Sequence, residues 1–215
     1  MNHPLVIGYH LVWTVYGTWL PNDPRGSGSR TVESASLAEL GNVHHGRKKI
    51  QPPRYEVREF YERAVELLRH PVLTFNDEDR ATIGEAFATV IATERYTCYA
   101  CAVMPDHVHI LIRKHKHTVE EIAENLLHAS KTRLIQAKRR EPGHPIWVGG
   151  TPWGDFLDHP DDVRRVIGYI KRNPTKIGLP EQKWPFVLAY NNWPLHKGHS
   201  PNSPYARRLR ELGRY

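Results

Sequence analysis

The sequence predicts an α+β protein built on a ferredoxin-like antiparallel sheet with helices packed on one face, and three observations support this class. Runs rich in β-branched and aromatic residues at 9–16 and 96–113 are typical of strands. Segments with helical periodicity lie on either side of the second run, and turn residues separate them. The resulting order of strand, arm, helix, strand, strand and helix is that of a split βαβ unit.

The first strand is predicted at 9–16, YHLVWTVY. An irregular arm is then expected over about 19–70, because Pro, Gly, Ser and Arg dominate its first half. Within this arm a short helix is predicted at 54–69, where Phe60 and Ala64 contribute to an apolar side.

A longer helix is predicted over 77–95, since apolar residues recur at i, i+4, i+7 and i+8. Asn76 with Asp79 resembles a capped start for this helix. A hairpin at 96–113 follows, and the Pro-Asp pair at 105–106 supplies its turn.

The next helix begins at the capping-box pattern Thr118-Val-Glu-Glu121 and is expected to end before Pro142. A further strand is expected near 146–148. With this strand the order of elements matches the split βαβ pattern of a ferredoxin-like domain.

Length and charge limit the organisation and the partners of the chain. Its 215 residues are enough for one domain, predicted at 1–195, followed by a basic C-terminal tail at 196–215. The formal net charge is +7 and the pI is about 9.5, which favours a polyanionic partner, most simply nucleic acid. A soluble protein that happens to be basic is the alternative.

The cysteines and the apolar segments predict a cytoplasmic protein. Cys98 and Cys101 lie three residues apart on a predicted strand and are expected to face opposite ways, so no disulfide is predicted. No run of 18 apolar residues occurs, and the N-terminus lacks the pattern of a signal peptide. We therefore expect a chain that is neither secreted nor bound to a membrane.

The motif MPDHVHILIR at 104–113 carries the first candidate site. Because side chains alternate along a strand, His107 and His109 are expected on one face, with Val108 and Ile110 on the other. Two neutral imidazoles on one rigid strand can fix two coordination positions of a divalent metal. The same pattern fits two polar residues on a half-exposed face, so a metal site also needs a third ligand.

The segment DHPDDVRRVIGYIKRNP at 158–174 is predicted to be a helix that ends near Arg172 or Asn173, because Pro174 follows. Tyr169 lies at the edge of its apolar stripe, and Asn173 lies beside it four residues later. With a metal bound by the two histidines and the Asn173 oxygen, Tyr169 could attack a phosphodiester. The alternative is that Tyr169 packs against a neighbour and Asn173 caps the helix end.

At these residues the chain resembles the HUH single-tyrosine transposases, and most closely the REP-associated tyrosine transposases with their IS200-like domain. The matching motifs are MPDHVHILI at 104–112 and YIKRNPTKIGL at 169–179. The opening YHLVWTVYGTWLPNDPRG at 9–26 also resembles the start of many members. One departure is GDFLDHP at 154–160, where many REP-associated members carry a Gly-Tyr-Tyr-Asp-His-like segment.

The resemblance implies a role for each site residue. His107 and His109 match the metal ligands, Asn173 matches the third ligand, and Tyr169 matches the nucleophile on a C-terminal catalytic helix. It also implies dependence on Mg²⁺ or Mn²⁺ and cleavage of single-stranded DNA next to an imperfect palindromic hairpin. Tyr169 would become linked to the 5′ phosphate and leave a free 3′ hydroxyl.

The basic side chains and the loop aromatics are the candidate DNA contacts. Trp147, Trp153 and Trp184 are candidates for stacking on unpaired bases. The predicted phosphate contacts come from two basic runs, and they are Arg133, Lys138, Arg165, Arg172 and Lys176.

Other functions remain open from the sequence. The chain could be a structure-specific DNA hairpin-binding protein without transposition activity. It could also be a ferredoxin-like RNA-binding module in which Trp13, Tyr96 and Tyr99 stack on bases. A structural zinc site is disfavoured, because two histidines and an asparagine make an open site. The sequence does not decide between a monomer and a homodimer, or whether Tyr169 acts with the histidines of its own chain.

Overall fold

Four antiparallel strands form the sheet of the computed structural model, which describes residues 5–32, 34–148, 153–195 and 202–213. Their order across the sheet places two strands in the centre and two at the edges. In that order the strands are β2 (Cys98–Val103), β3 (His107–Arg113), β1 (Gly8–Thr14) and β4 (Trp153–Leu157). The predicted α+β class with an antiparallel sheet is confirmed.

Helices cover both faces of this sheet. α3 (Asp77–Glu94) and α4 (Val119–Gln136) pack against each other and contribute to the core on the first face. α5 (Pro160–Lys176) packs on β2 and β3 from the second face. The prediction that helices pack on one face is therefore correct for α3 and α4. α5, which carries Tyr169, packs on the opposite face. The helices of the described residues are α1 (Ala35–Ala38), α2 (Arg54–Leu67), α3 (Asp77–Glu94), α4 (Val119–Gln136), α5 (Pro160–Lys176) and α6 (Pro204–Glu211).

The central strand β3 divides its side chains between two hydrophobic cores. Val108, Ile110 and Ile112 are fully buried in the first core, beneath α3 and α4. Leu111 points to the other face and packs in the second core with the apolar side of α5. His109 lies between these residues in sequence and is 6% exposed. The predicted alternation is therefore confirmed, and it directs the histidines toward α5.

The predicted starts of α3 and α4 are confirmed, because both helices carry a capping box. Asn76 accepts from the backbone of Asp79, whose carboxylate accepts from the Asn76 backbone in return. Thr118 and Glu121 make the same reciprocal pair at α4. Each box satisfies backbone N–H groups that have no partner within the helix.

The helix predicted within the arm at 54–69 is confirmed as α2, and the loop before it is also folded. α2 spans fourteen residues, and Phe60 and Ala64 are buried with Leu20 in a third, smaller core. The loop before it is fixed by Asp23, which accepts a hydrogen bond from the Tyr61 hydroxyl at 2.5 Å. The same carboxylate pairs with Arg25 at 2.7 Å. These contacts attach the loop to α2, so this part of the arm is folded.

The predicted strand at 146–148 is wrong. Trp147 makes only an isolated bridge with Val15, and the fourth strand is β4, which pairs with β1. Ile146 and Trp147 are apolar because they pack in or against the first core. β4 was not predicted because its sequence, WGDFL, contains Gly and Asp, which are depleted in strands.

The expected orientation of the two cysteines is also wrong. A register shift between Cys98 and Ala100 adds a bulge to β2, and as a result both Cys98 and Cys101 lie in the first core. Both thiols are free, so the prediction of no disulfide is confirmed. Burial raises the pKa of the Cys101 thiol well above its usual range, which keeps it protonated.

α5 is longer than predicted. It continues through Pro174 to Lys176 instead of ending at Arg172 or Asn173. A proline in the last turn removes only its own N–H donor, and the Pro174 carbonyl still accepts from the Ile177 backbone at 3.1 Å. The extension brings the Lys176 side chain over the same helix face as Tyr169.

Part of the predicted tail at 196–215 packs on the domain. In α6, Tyr205 and Leu209 are buried in the second core, and the Tyr205 hydroxyl donates to the Asp158 carbonyl at 2.6 Å. Residues 196–201 and 214–215 lie outside the described residues. The helical part of this segment therefore belongs to the folded structure.

The outer edge of β2 is covered by the segment that follows α5. The Gln182 side chain accepts from the Val103 backbone N–H at 2.8 Å and donates to the Val103 carbonyl at 2.7 Å. Further along, the Leu188 backbone donates to the Cys98 carbonyl at 2.8 Å. Backbone groups that an edge strand would expose are thus paired within the chain.

Within the described part of the chain, no helix combines the length and the apolarity needed to cross a lipid bilayer.

The ion-pair cluster that joins α3 to the end of α4 should contribute strongly to stability. Asp79 is 1% exposed and accepts from Arg139 at 2.9 Å and from Arg140 at 2.5 Å. Asp79→Ala leaves both guanidinium groups without this partner and removes the capping box. We expect it to lower the free energy of unfolding by about 3 kcal/mol or more, measured by urea denaturation.

The matched control is Glu78→Ala, which removes an exposed partner of the same Arg139. An exposed ion pair contributes at most about 1 kcal/mol. If Asp79→Ala and Glu78→Ala lowered the free energy of unfolding equally, the stability that the cluster contributes would not depend on the buried Asp79 carboxylate.

Candidate active site

The two predicted histidines of β3 lie side by side on the second face of the sheet. The ring centroids of His107 and His109 are 4.8 Å apart and the rings are nearly perpendicular. His107 Nδ1 lies 2.6 Å from the Asp106 carboxylate, while His109 Nδ1 lies 3.0 Å from Nε2 of His10. With both Nδ1 atoms engaged, the Nε2 atoms are the ring nitrogens available to a ligand.

His10 is a site residue that sequence reasoning missed. It lies on β1 and is 4% exposed, and its ring stacks on that of His109 with centroids 5.2 Å apart. On its other side, its Nδ1 lies 3.6 Å from Asp155 of β4. The available signal was a titratable residue near the start of a strand that otherwise reads as buried and apolar. Asp155 gave no such signal, because β4 itself was not predicted.

α5 places Tyr169 against the histidines. The centroid of its ring lies 5.3 Å from that of His109 and 6.1 Å from that of His10, and both contacts are edge-to-face. Its side chain is 39% exposed, so one side contacts the site and the other faces solvent. Lys176, one helical turn beyond Asn173, places its ammonium 4.6 Å from the Tyr169 ring centroid. The predicted nucleophile and the predicted histidines are therefore together.

Asn173 lies on α5 next to Tyr169 and is 8% exposed. Its amide nitrogen donates to the Tyr169 carbonyl at 3.3 Å. This bond orients the amide and leaves its oxygen for another partner. The alternative that Asn173 caps the helix end does not hold, because α5 ends at Lys176.

Burial keeps His109 and His10 neutral. Desolvation lowers the pKa of His109 to about 2, and repulsion between its protonated form and the basic groups of His107, His10 and Lys176 adds to this effect. Desolvation also lowers the pKa of His10, although the Asp155 carboxylate opposes the shift. Neutral imidazole is the form that binds a metal ion, so His109 requires no deprotonation at neutral pH.

The five predicted phosphate contacts fall into two separate groups. Arg165, Arg172 and Lys176 are exposed on α5, the helix of Tyr169. Arg133 is on α4, beneath the other face, where it pairs with Glu85 of α3 at 3.0 Å. Lys138 follows the end of α4 and lies with this second group. Three of the five cations therefore share the helix of Tyr169.

The two candidate stacking tryptophans whose side chains the structure describes, Trp147 and Trp184, pack against the protein. Both lie against the first core, and the Trp147 indole donates to Ser130 Oγ at 3.1 Å. The side chain of Trp153 lies outside the described residues. Trp13, Tyr96 and Tyr99, the aromatic residues proposed to stack on RNA bases, are each at most 8% exposed. Their burial disfavours the RNA-binding alternative.

No three His, Cys, Asp or Glu side chains among the described residues are arranged to hold a metal ion. Cys98 and Cys101 are buried in the first core, on the face away from the histidines. A structural zinc site formed by cysteines and histidines is therefore not supported. A divalent ion at the histidine pair needs an oxygen ligand such as the Asn173 amide.

Two solved structures show only a weak likeness to this chain. A REP-associated tyrosine transposase bound to a REP hairpin aligns at 15% identity and a TM-score of 0.42, covering 86% of this chain and 79% of that one. A candidate transposase from Deinococcus radiodurans R1 aligns at 14% identity and a TM-score of 0.41, covering 80% and 94%. At such TM-scores, neither likeness bears on function. No match is found among curated proteins.

The comparison with protein families is more direct. Residues 64–156 match the family described as "Transposase IS200 like". The matched region contains β2, β3 and α4, and with them His107 and His109, but it ends before Tyr169 and Asn173. The resemblance recognised from the sequence motifs is thus supported by a family match over residues 64–156, which is less than half of the chain.

Proposed function

We propose that this protein is a metal-dependent single-stranded DNA endonuclease and strand transferase that cleaves next to palindromic hairpins through a 5′-phosphotyrosine intermediate. The observation that carries the proposal is the convergence of three elements on one face of the sheet. His109 from β3, His10 from β1 and Tyr169 from α5 lie with ring centroids within 6.1 Å of one another. A nucleophile beside imidazoles that can bind a metal ion is an arrangement suited to phosphodiester transfer.

The donor set fits Mg²⁺ or Mn²⁺. His107 and His109 would each supply Nε2, since their Nδ1 atoms are already engaged, and Asn173 would supply its amide oxygen. Nitrogen and oxygen donors of this kind suit Mn²⁺ and leave further positions for water or a phosphate oxygen. When bound, the ion supplies electrostatic stabilisation of the phosphodiester as negative charge develops on it.

Tyr169 is the proposed nucleophile. Its hydroxyl oxygen attacks the phosphorus as the phenolic proton is lost, the bond from phosphorus to the 3′ oxygen breaks, and that oxygen takes up a proton to become a 3′ hydroxyl. The DNA 5′ phosphate is then esterified to Tyr169. One phosphoester replaces another, so the reaction can be reversed or completed by a different 3′ hydroxyl without ATP.

Lys176 supports the attack by Tyr169. Its ammonium lies 4.6 Å from the Tyr169 ring centroid, so it can stabilise the negative charge that develops on the phenolic oxygen and on the phosphate. The position depends on the helical structure of α5 past Pro174. A helix ending at Asn173 would not fix this side chain beside Tyr169.

The exposed face of α5 is the proposed path of the DNA backbone. Arg165, Arg172 and Lys176 lie on the same flank as Tyr169. On the other flank, Arg164 and Lys171 line a groove of about 420 Å³ between α5 and the segment at 187–192. Cations on both flanks can hold phosphates on either side of the scissile bond.

The first prediction concerns the covalent adduct. Tyr169→Phe should abolish labelled protein on a denaturing gel after incubation with end-labelled hairpin oligonucleotides and Mn²⁺, because the attacking oxygen is gone. Binding of the same oligonucleotides should remain within about twofold, since ring packing is kept. Removing the metal with EDTA should abolish the adduct of the wild-type protein.

Tyr55→Phe is the matched control for this experiment, because Tyr55 is exposed on α2 and distant in sequence from the site. It should form the adduct at the wild-type level. Tight hairpin binding by a wild-type protein that forms no adduct would contradict the transferase and leave a structure-specific hairpin-binding protein without transposition activity.

The second prediction separates the two groups of cations. The double variant Arg172→Ala with Lys176→Ala should weaken binding of single-stranded DNA and reduce the slope of log K against log salt by about 1.4, which is about 0.7 for each lost phosphate contact. Fluorescence anisotropy over a salt series measures both quantities.

The double variant Arg133→Ala with Lys138→Ala removes the same charge from the other face and serves as the control. We expect it to leave the slope unchanged. If both pairs reduced the slope equally, the proposed path along α5 would be wrong.

A further inference from the structure

Three side chains from three strands form a line that ends at the candidate metal position. Asp155 of β4 and His10 of β1 are register partners across the sheet, and the Asp155 carboxylate lies 3.6 Å from His10 Nδ1. His10 Nε2 in turn lies 3.0 Å from His109 Nδ1. The other ring nitrogen of His109 is Nε2, the atom proposed to bind the metal.

The charges along this line determine where the protons lie. The negative charge of Asp155 favours a proton on the near nitrogen of His10, which is Nδ1. Neutral His10 then has an unprotonated Nε2, and this atom can only accept the hydrogen bond from His109. His109 is therefore protonated on Nδ1 and carries its free lone pair on Nε2.

We propose that His10, together with Asp155, is a positioning residue that fixes the ring orientation and tautomer of His109 so that its Nε2 lone pair faces the divalent metal. This inference rests on the proposed function, because the orientation of the Nε2 lone pair of His109 has a role only if that atom binds a metal ion. Partners of this kind, behind a metal-binding histidine, are a general means of orienting the ligand.

His107, the other proposed ligand, also has its free lone pair on Nε2, but here a carboxylate contacts the ring directly. His107 Nδ1 lies 2.6 Å from the Asp106 carboxylate, so its free lone pair is also on Nε2. His107 is partly exposed and its carboxylate lies in the adjoining turn. His109 is 6% exposed, and the nearest carboxylate along the line belongs to the half-exposed Asp155 on the edge strand. His10 spans the distance between them without burying a charge.

The role of His10 is not explained by packing alone. A side chain that only filled the second core would carry no polar atom there, because an unsatisfied polar group in a core is costly. His10 is 4% exposed and hydrogen-bonds His109, which is 6% exposed. The shared bond satisfies a nitrogen on each ring.

The closing experiment reads the tautomer of His109 directly. Long-range ¹H–¹⁵N NMR of the full-length, metal-free protein distinguishes imidazole protonated on Nδ1 from imidazole protonated on Nε2, and His109→Gln assigns the signal. We expect the Nδ1-protonated form in the wild type. His10→Phe keeps the ring volume, removes the acceptor, and should shift His109 toward the Nε2-protonated form, whereas His10→Gln should retain much of the wild-type signal through its amide oxygen.

Mn²⁺ affinity, measured by electron paramagnetic resonance without DNA, tests whether the contact between His10 and His109 promotes metal binding. His10→Phe should weaken Mn²⁺ binding about 10-fold or more, in the range found for such partners of metal ligands. The control is Leu111→Val, a conservative change at the β3 position that is the register partner of His10. It should alter Mn²⁺ affinity by less than about twofold.

The outcomes separate the inference from the proposed function. An Nε2-protonated His109 in the wild type, or a tautomer that His10→Phe leaves unchanged in a folded protein, overturns the role of His10. A wild-type protein that shows the expected tautomer and its dependence on His10 but binds no Mn²⁺ supports the positioning contact and refutes the metal site. An equal loss of Mn²⁺ affinity in Leu111→Val overturns the specific role, since packing would explain both.

Discussion

The structure depends on β3 being buried on both faces while carrying polar residues on only one of them. Val108, Ile110 and Ile112 fill the core under α3 and α4, which fixes the register of the strand. A slip by one residue would place imidazoles in that apolar core and isoleucines at the site, at the cost of unsatisfied nitrogens. The hydrophobic effect on one face thus determines the chemistry presented on the other.

The polar groups on the second face are tolerated because they satisfy one another. His10 and His109 share a hydrogen bond, and Asp106 lies against His107. Burial is the main cause that lowers the pKa values of His10 and His109, so neither ring introduces a charge into the second core at neutral pH. The site therefore combines a low-dielectric environment with ring nitrogens that remain available, whereas its cations stay in solvent along α5.

Local patterns were sufficient to predict most of the fold and to place the histidine pair and Tyr169 on their elements. The alternation in β3, the two capping boxes and the apolar stripe of α5 each involve residues within one turn or one strand, and all were confirmed. What the sequence did not reveal depends on contacts distant in sequence. β4 is a strand because β1 provides a partner, and His10 belongs to the site because it meets His109, 99 residues away. The bulge that turns both cysteines to one face likewise comes from pairing with β3.

The covered edge of β2 restricts how two molecules could associate. Gln182 and Leu188 occupy the backbone groups that a strand from another copy would need. A continuous sheet running through two molecules cannot form at that edge unless the segment after α5 first detaches. The segment therefore opposes the addition of a further strand at the β2 edge of the sheet.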